Sequence, residues 1–238
     1  MNIQETKKIT LSLIDTFNKA SQVALDLRKA GLKKEIKPDN TPVTNGDIEV
    51  NKILTKKISE IVEVDMEMQM SNAYKEGYFE LQRGDVLLAA KKFNEAELLF
   101  PQSPWAAKSA IMAAYAYYTQ DYYSDAIFEL ERYLVTYPNH TNKVYAHFLL
   151  GMSFYEQIVD EKKDLKPILD SKVQFEVIIR DYPSTEFAMD AKFKIDLINE
   201  ILAAKEMYIA RYYLKKTKWI PALNRFKTVV KDYNTTIY

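Results

Sequence analysis

The chain has 238 residues, with 33 lysines and arginines balanced by 33 aspartates and glutamates, and it is 47% hydrophobic and 28% charged. Zero net charge argues against a nucleic-acid footprint or a polybasic membrane patch. The sequence contains no cysteine, which excludes disulfides, thiolate metal sites, a cysteine nucleophile and a lipid linked through cysteine. Glycine and proline are scarce beside Ala, Leu, Lys and Glu, so helix is expected over most of the length.

In chain order, Leu13, Phe17, Ala20, Ala24 and Leu27 make an apolar stripe at helical spacing, and Gly31 supplies a stop. Asp15, Asn18 and Lys19 interrupt the apolar residues that a secretory signal would need unbroken. No stretch approaches the roughly 20 apolar residues of a membrane span. As written, the chain is expected to stay in the cytoplasm and to touch no membrane itself. The segment Lys37-Pro38-Asp39-Asn40-Thr41-Pro42-Val43-Thr44-Asn45-Gly46-Asp47 suits short extended pieces and a turn. Its backbone near Lys34 to Thr44 is expected to be unpaired and of low stability. Ile48, Ile53, Leu54, Ile58 and Ile61 then restore the helical period, with Asp47 expected as the N-cap. Between Asp47 and Gln82 there is no proline, which lets one long helix run on as far as Gln82.

From residue 71 onward a unit of about 37 residues recurs, each copy ending in an aromatic and a proline. The terminators are Phe100-Pro101, Tyr137-Pro138, Tyr182-Pro183 and a degenerate Tyr233-Asn234. Gly77, Ala89, Phe93 and Ala96 occupy the small, small, large and small positions of a tetratricopeptide (TPR) repeat. Ala114, Tyr117 and Ala126 repeat the set, as do Gly151, Phe154 and Phe175 if residues around Asp160 to Pro167 are an insertion, and then Ala210, Tyr213, Ala222 and Phe226. Small residues let helices cross closely, large rings fill the gap between pairs, and proline stops the second helix. The expected fold is therefore all-α, a TPR superhelical array behind a short N-terminal α+β fragment. Helices are expected at roughly 71–82, 86–99, 104–119, 122–136, 142–158, 166–181, 185–201, 203–216 and 219–232. Ser71, Ser103, Ser184 and Thr217 are the candidate caps.

In such an array the first helix of each pair lines the concave surface. The lining positions fall on Tyr74, Tyr78 and Leu81, on Ile111, Tyr115 and Tyr118, and on Tyr145, Phe148, Met152 and Tyr155. Tyrosine offers a rigid apolar body with a polar tip, which suits an extended peptide that also needs hydrogen bonds. Tyr74, Tyr78, Tyr115, Tyr118, Tyr145, Phe148 and Tyr155 are thus the candidate peptide-binding residues, against the alternative that each ring only packs between helices. His140 and His147 have no evident third ligand, and Glu161-Lys162-Lys163-Asp164 reads as a solvated connection. Without a glycine-rich phosphate loop or hydrolase serine motif, no catalytic residue, metal or cofactor is expected.

Two resemblances add to this reading. Lys37, Asp39, Pro42-Val43-Thr44 and Asp47 resemble the N-terminus of the inositol monophosphatase superfamily, particularly its 3'(2'),5'-bisphosphate nucleotidase (CysQ-like) branch. In that family the aspartate matching Asp47 lies beside a magnesium cluster. The Gly-Glu-Glu and Asp-Pro-x-Asp-Gly motifs that supply the other ligands are absent, so residues 1–62 are expected to be an inert fragment. Residues 64–238 resemble the BamD family of TPR lipoproteins of the outer-membrane β-barrel assembly machinery, with 63–70 expected as a junction and 71–238 as the TPR domain. The resemblance rests on Ala113-Ala114-Tyr115-Ala116-Tyr117-Tyr118, Tyr155-Glu156-Gln157-Ile158-Val159-Asp160, Arg211-Tyr212-Tyr213-Leu214-Lys215 and Asn224-Arg225-Phe226-Lys227-Thr228-Val229-Val230. It implies a non-enzymatic scaffold at the periplasmic face of the outer membrane, holding C-terminal segments of unfolded outer-membrane proteins. It also implies docking on the POTRA region of a BamA-like barrel-forming subunit, for which Arg211, Lys215 and Arg225 are the candidates. Family members carry a signal peptide and a lipobox cysteine and continue past the equivalent of Tyr238. The chain is thus expected to be a truncated member joined to a phosphatase fragment.

Overall fold

A computed structural model describes residues 3–36, 42–158 and 165–238. Among them the chain forms nine helices and one hairpin: α1 (Ile3–Ala30), β1 (Lys34–Ile36), β2 (Pro42–Thr44), α2 (Asn45–Arg83), α3 (Val86–Leu99), α4 (Pro104–Thr119), α5 (Tyr123–Thr136), α6 (Lys143–Tyr155), α7 (Lys166–Asp181), α8 (Glu186–Lys215) and α9 (Trp219–Asp232). It divides into two compact units, Met1–Gln69 and Met70–Tyr238, and the division falls inside α2.

In the first unit α1 ends at Gly31, whose φ of 97° is one that glycine adopts without strain. Strands β1 and β2 pair antiparallel, Lys34 opposite Thr44, Glu35 opposite Val43 and Ile36 opposite Pro42. This corrects the expectation of an unpaired backbone. Asn45 closes the hairpin base, its N–H donating to Lys33 O and its Oδ1 accepting from Lys33 N–H, both at 3.0 Å. The cap of α2 is Thr44 rather than Asp47. Thr44 Oγ1 lies 3.3 Å from the Asp47 N–H, while Asp47 Oδ2 accepts from the Thr44 N–H at 3.0 Å, a reciprocal capping box. Lys37 and Asp39 lie outside the described residues. Among residues 3–69 that are described, Ala20 is the one buried apolar side chain.

In the second unit, α3 to α9 pack in chain order, each against the next. The first helices also meet one another, α4 lying against α6 and α6 against α8, so they form an inner rank. Each aromatic terminator is a helix C-cap: Phe100 ends α3, Tyr137 α5, Tyr182 α7 and Tyr233 α9. Proline then blocks further helix after the first three of these. Alanines line the close crossings, with Ala89, Ala96, Ala110, Ala113, Ala114, Ala126, Ala146 and Ala210 fully buried. At two crossings a methyl group would crowd a buried ring, tightly at the first and prohibitively at the second. A Cβ on Gly77 would stand 3.0 Å from the Phe93 ring, and one on Gly151 2.8 Å from the Phe175 ring.

Several local expectations are corrected. Ser71 is interior to α2, because no breaker separates residues 45 and 83. The helices expected at 185–201 and 203–216 are one 30-residue helix, α8, since Ile201-Leu202-Ala203 offers neither Gly nor Pro at the intended break. Ser103 does cap α4, its Oγ accepting from the Trp105 N–H at 3.2 Å. Thr185, not Ser184, precedes α8, and Lys218 precedes α9. Thr217 has a φ of 57° in the left-handed turn that separates α8 from α9. Asp85 is a further cap, not expected from the sequence, with Oδ1 accepting from the Leu88 N–H at 3.1 Å. Of the connection after α6, residues 159–164, including Glu161 to Asp164, lie outside the described residues.

Candidate functional site

The candidate peptide-binding residues lie on α2 (Tyr74, Tyr78) and on α4 and α6 of the inner rank, and they are not equally accessible. Tyr78 is the most open, 49% exposed near the end of α2. With Leu81, Gln82, Val86, Met112, Tyr115, Thr119 and Gln120 it lines an open depression of about 400 Å³ between α2, α3 and α4. Gln120 braces one end of that depression by donating from Nε2 to Gly84 O at 3.0 Å. Met112, Thr119 and Gln120 are not expected from the sequence, since they lie outside the repeat positions that assign the concave face.

Tyr74 is placed differently. Its ring packs edge-on against Phe93 at 5.3 Å and Trp105 at 5.4 Å, between α2, α3 and α4. Burial, with Tyr78 beside it, raises its phenol above the ordinary range. It belongs to the packing between these helices.

Further along, Tyr115, Tyr118 and Tyr145 bring their hydroxyls into electrostatic reach of one another. Burial pushes the Tyr145 phenol up to about 12, with Tyr115 and Tyr118 adding to the effect. Tyr118 is raised chiefly by burial, with Glu156, Asp121 and Tyr115 adding to it. All three rings lie half-buried against the core of Ile111, Leu130, Leu149 and Leu150. A half-buried phenol is a hydrogen-bond donor and acceptor on an apolar base.

Phe148 is more deeply engaged. It touches Phe175 at 5.9 Å and Phe187 at 5.3 Å, so α8 covers it. Phe187 also approaches Tyr145, at 5.9 Å. Tyr155 holds the Lys194 ammonium 4.3 Å above its ring. The most accessible part of the predicted ladder therefore runs from Tyr78 to Tyr115, and the part nearest α8 is inter-helix packing.

The opposite side of the array has a different chemistry. Glu97 of α3 accepts both forks of Arg132 of α5, at 2.9 and 2.7 Å, and the Tyr137 hydroxyl at 2.7 Å. Arg132 also donates from Nε to Glu129 at 2.9 Å, and Asn94 reaches Glu129 at 3.2 Å. This network joins the second helices of successive pairs through long side chains. Hydrogen bonding to Glu97 holds the Arg132 guanidinium firmly charged, while burial and Glu97 raise the Tyr137 phenol.

Both histidines have local partners. His140 Nδ1 accepts from the Asn142 N–H at 3.3 Å and lies 2.8 Å from the Tyr133 hydroxyl. His147 Nδ1 lies 2.9 Å from Gln174 Oε1. No grouping of three or more His, Asp or Glu side chains fit for a metal occurs among the described residues. No described helix is long and apolar enough to cross a membrane.

Of the docking candidates, Arg211 and Lys215 are exposed on α8. Arg225 on α9 is already engaged, its Nη1 lying 3.0 Å from each oxygen of Glu206.

Comparison with known proteins gives a consistent result. The family model for YfiO, an outer membrane lipoprotein, matches residues 66–238. A curated relative from Caulobacter vibrioides, the outer membrane protein assembly factor BamD, is 37% identical over 163 residues, covering 68% of this chain and 53% of that protein. Its namesake in Rickettsia prowazekii is 33% identical over 174 residues, covering 73% and 69%. The one in Neisseria gonorrhoeae is 28% identical over 186 residues, covering 74% and 70%. The chain thus spans about half the length of the Caulobacter relative. The family match starts at residue 66, and the phosphatase resemblance of residues 1–62 finds no support in these comparisons.

Proposed function

The chain belongs to the YfiO outer membrane lipoprotein family over residues 66–238, and from that premise we propose that it is a non-catalytic scaffold for outer-membrane β-barrel assembly. Its inner rank of helices holds an extended, aromatic-ended segment of an unfolded client. The observation that carries this reading is the open depression between Tyr78 and Tyr115, with Leu81, Val86 and Met112 supplying an apolar floor. An aromatic side chain of the client fills that floor, and the two phenols hydrogen-bond its backbone. The exposed Arg211 and Lys215 pair with acidic groups on a POTRA-bearing, barrel-forming subunit, and Arg225 joins them only by exchanging Glu206 for a partner carboxylate. The place of action is the periplasmic face of the outer membrane.

The test is a titration of the full chain with a fluorescent peptide copied from the C-terminus of an outer-membrane protein. Substituting Tyr78→Ala and Tyr115→Ala together removes two aromatic anchors and is expected to weaken binding by about 30-fold or more. Unchanged affinity with an unchanged circular dichroism spectrum defeats the reading. The corresponding check on docking is Arg211→Glu with Lys215→Glu, scored by co-purification with the barrel-forming subunit; full retention excludes this face.

A further inference from the structure

The first unit is short of a core. Ala20 is its one buried apolar side chain among the described residues, yet Leu11, Ile14, Phe17, Leu25, Ile58, Val62, Val64 and Met68 are each more than a third exposed. Two helices with so little buried between them need further apolar surface to be stable.

The charge order along α2 specifies what can supply it. After Asp47 and Glu49 in its first turns come Lys52, Lys56 and Lys57, and then Glu60, Glu63, Asp65 and Glu67. At 3.6 residues per turn, Lys52, Lys56, Glu63 and Glu67 share an arc of about 60°. Ile58, Val62 and Met66, spaced four apart, form the adjoining apolar strip within about 80°. A parallel neighbour would oppose like charges. An antiparallel copy of the same helix, related by a two-fold axis near Ser59 and Glu60, sets Lys52 opposite Glu67 and Lys56 opposite Glu63. Each pairing then occurs twice, because in an isologous contact residue i meets j and j meets i. Lys52 is bonded to Glu49 and Lys57 to Glu60, but Lys56, Glu63 and Glu67 have no ion-pair partner among the described residues.

We propose that the chain forms a two-fold dimer in which the Ile58–Val62 face of α2 pairs antiparallel with the same face of a second copy, registered by Lys56–Glu63 and Lys52–Glu67 ion pairs. Apolar contact supplies the affinity, and the charges select orientation and register. This assignment is independent of the peptide-binding face, which lies in the other unit.

The experiment is sedimentation equilibrium of the full chain over a concentration series, with charge-swap variants. The wild type is expected to populate a dimer that grows with concentration. Lys56→Glu and Glu63→Lys each place like charges opposite one another twice and weaken the dimer at least about ten-fold. The double variant Lys56→Glu with Glu63→Lys restores the pairing and brings the dissociation constant back to within about three-fold of wild type. Because the chain has no cysteine, single cysteines report the register directly. Ser59→Cys sits at the axis and cross-links under mild oxidant. Gln69→Cys lies roughly 28 Å from its copy along the paired helices and does not. A monomer at every concentration overturns the proposal, as does a double variant no tighter than the singles, or equal cross-linking at residues 59 and 69.

Discussion

Gly151 and Phe175 meet so closely that the helix crossing of α6 and α7 has no room for a β-carbon: one built on residue 151 would lie 2.8 Å from Phe175 Cε1. Ser171 seals the same crossing by donating from Oγ to Gly151 O at 2.9 Å. The ring is fully buried, so accommodating a methyl group means moving packed neighbours. Gly151→Ala is therefore expected to destabilise the array by about 1–3 kcal/mol, despite the gain in helix propensity. Phe175→Leu in the same chain should recover part of that loss. Urea unfolding followed by circular dichroism measures both, and a Gly151→Ala chain as stable as wild type would contradict the close approach.

A second prediction concerns the bridge between α3 and α5. The Glu97 side chain is 7% exposed and Arg132 is its cation at 2.7 Å. Arg132→Met leaves that carboxylate buried with only the Tyr137 hydroxyl, at an expected cost of about 3 kcal/mol. Glu97→Leu in the Arg132→Met background removes one of the two carboxylates that lose Arg132, leaving Glu129 with Asn94, and should restore part of the stability. If the single and double variants have the same unfolding midpoint, the network contributes no more than a surface pair.

The third prediction is a pH dependence. Burial lowers the His147 pKa below its ordinary 6.5. The folded chain thus favours the neutral ring, while the unfolded chain protonates near 6.5. Stability from this group is fully present above about pH 6.5 and is lost as pH falls toward the depressed folded value. His147→Gln, which is uncharged throughout, is expected to flatten this part of the stability profile between roughly pH 7 and 5. An unchanged slope in the variant would assign the acid sensitivity elsewhere.

The second unit was far more legible in the sequence than the first, and the reason is physical. Small and large residues recur at fixed offsets because neighbouring helix pairs impose the same crossing each time. Gly77 with Phe93 and Gly151 with Phe175 are that rule in two copies. The aromatic-proline terminators marked the helix ends because each is a C-cap succeeded by a residue that cannot donate. The missed boundaries were places where no side chain forces a break. Ile201-Leu202-Ala203 continues α8 across an expected gap, and Ser71 stands in a helix that nothing interrupts.

For the candidate site, repeat position placed the aromatic ladder on α2, α4 and α6, but accessibility was beyond it. Phe148 is covered because Phe187 arrives from α8, a helix whose length the repeat pattern did not foretell. Glu97 and Arg132 also escaped notice, since an acid and a base 35 positions apart carry no local signal. In the first unit, Asp47 was legible as a residue of the α2 N-terminus but its position was misjudged by one turn: it answers Thr44, the N-cap, from inside the helix.

The unbroken α8 also bears on how the array comes apart. Stacked repeats ordinarily fray one at a time from an end, since each touches only its neighbours. A helix of 30 residues, about 45 Å long, spans what would otherwise be such a seam. Its first half packs with Phe175 and Ile178 of α7, and its second half carries Glu206, the partner of Arg225 on α9. The last repeats are therefore expected to come apart together rather than one pair at a time, a continuity that separate helix pairs would lack.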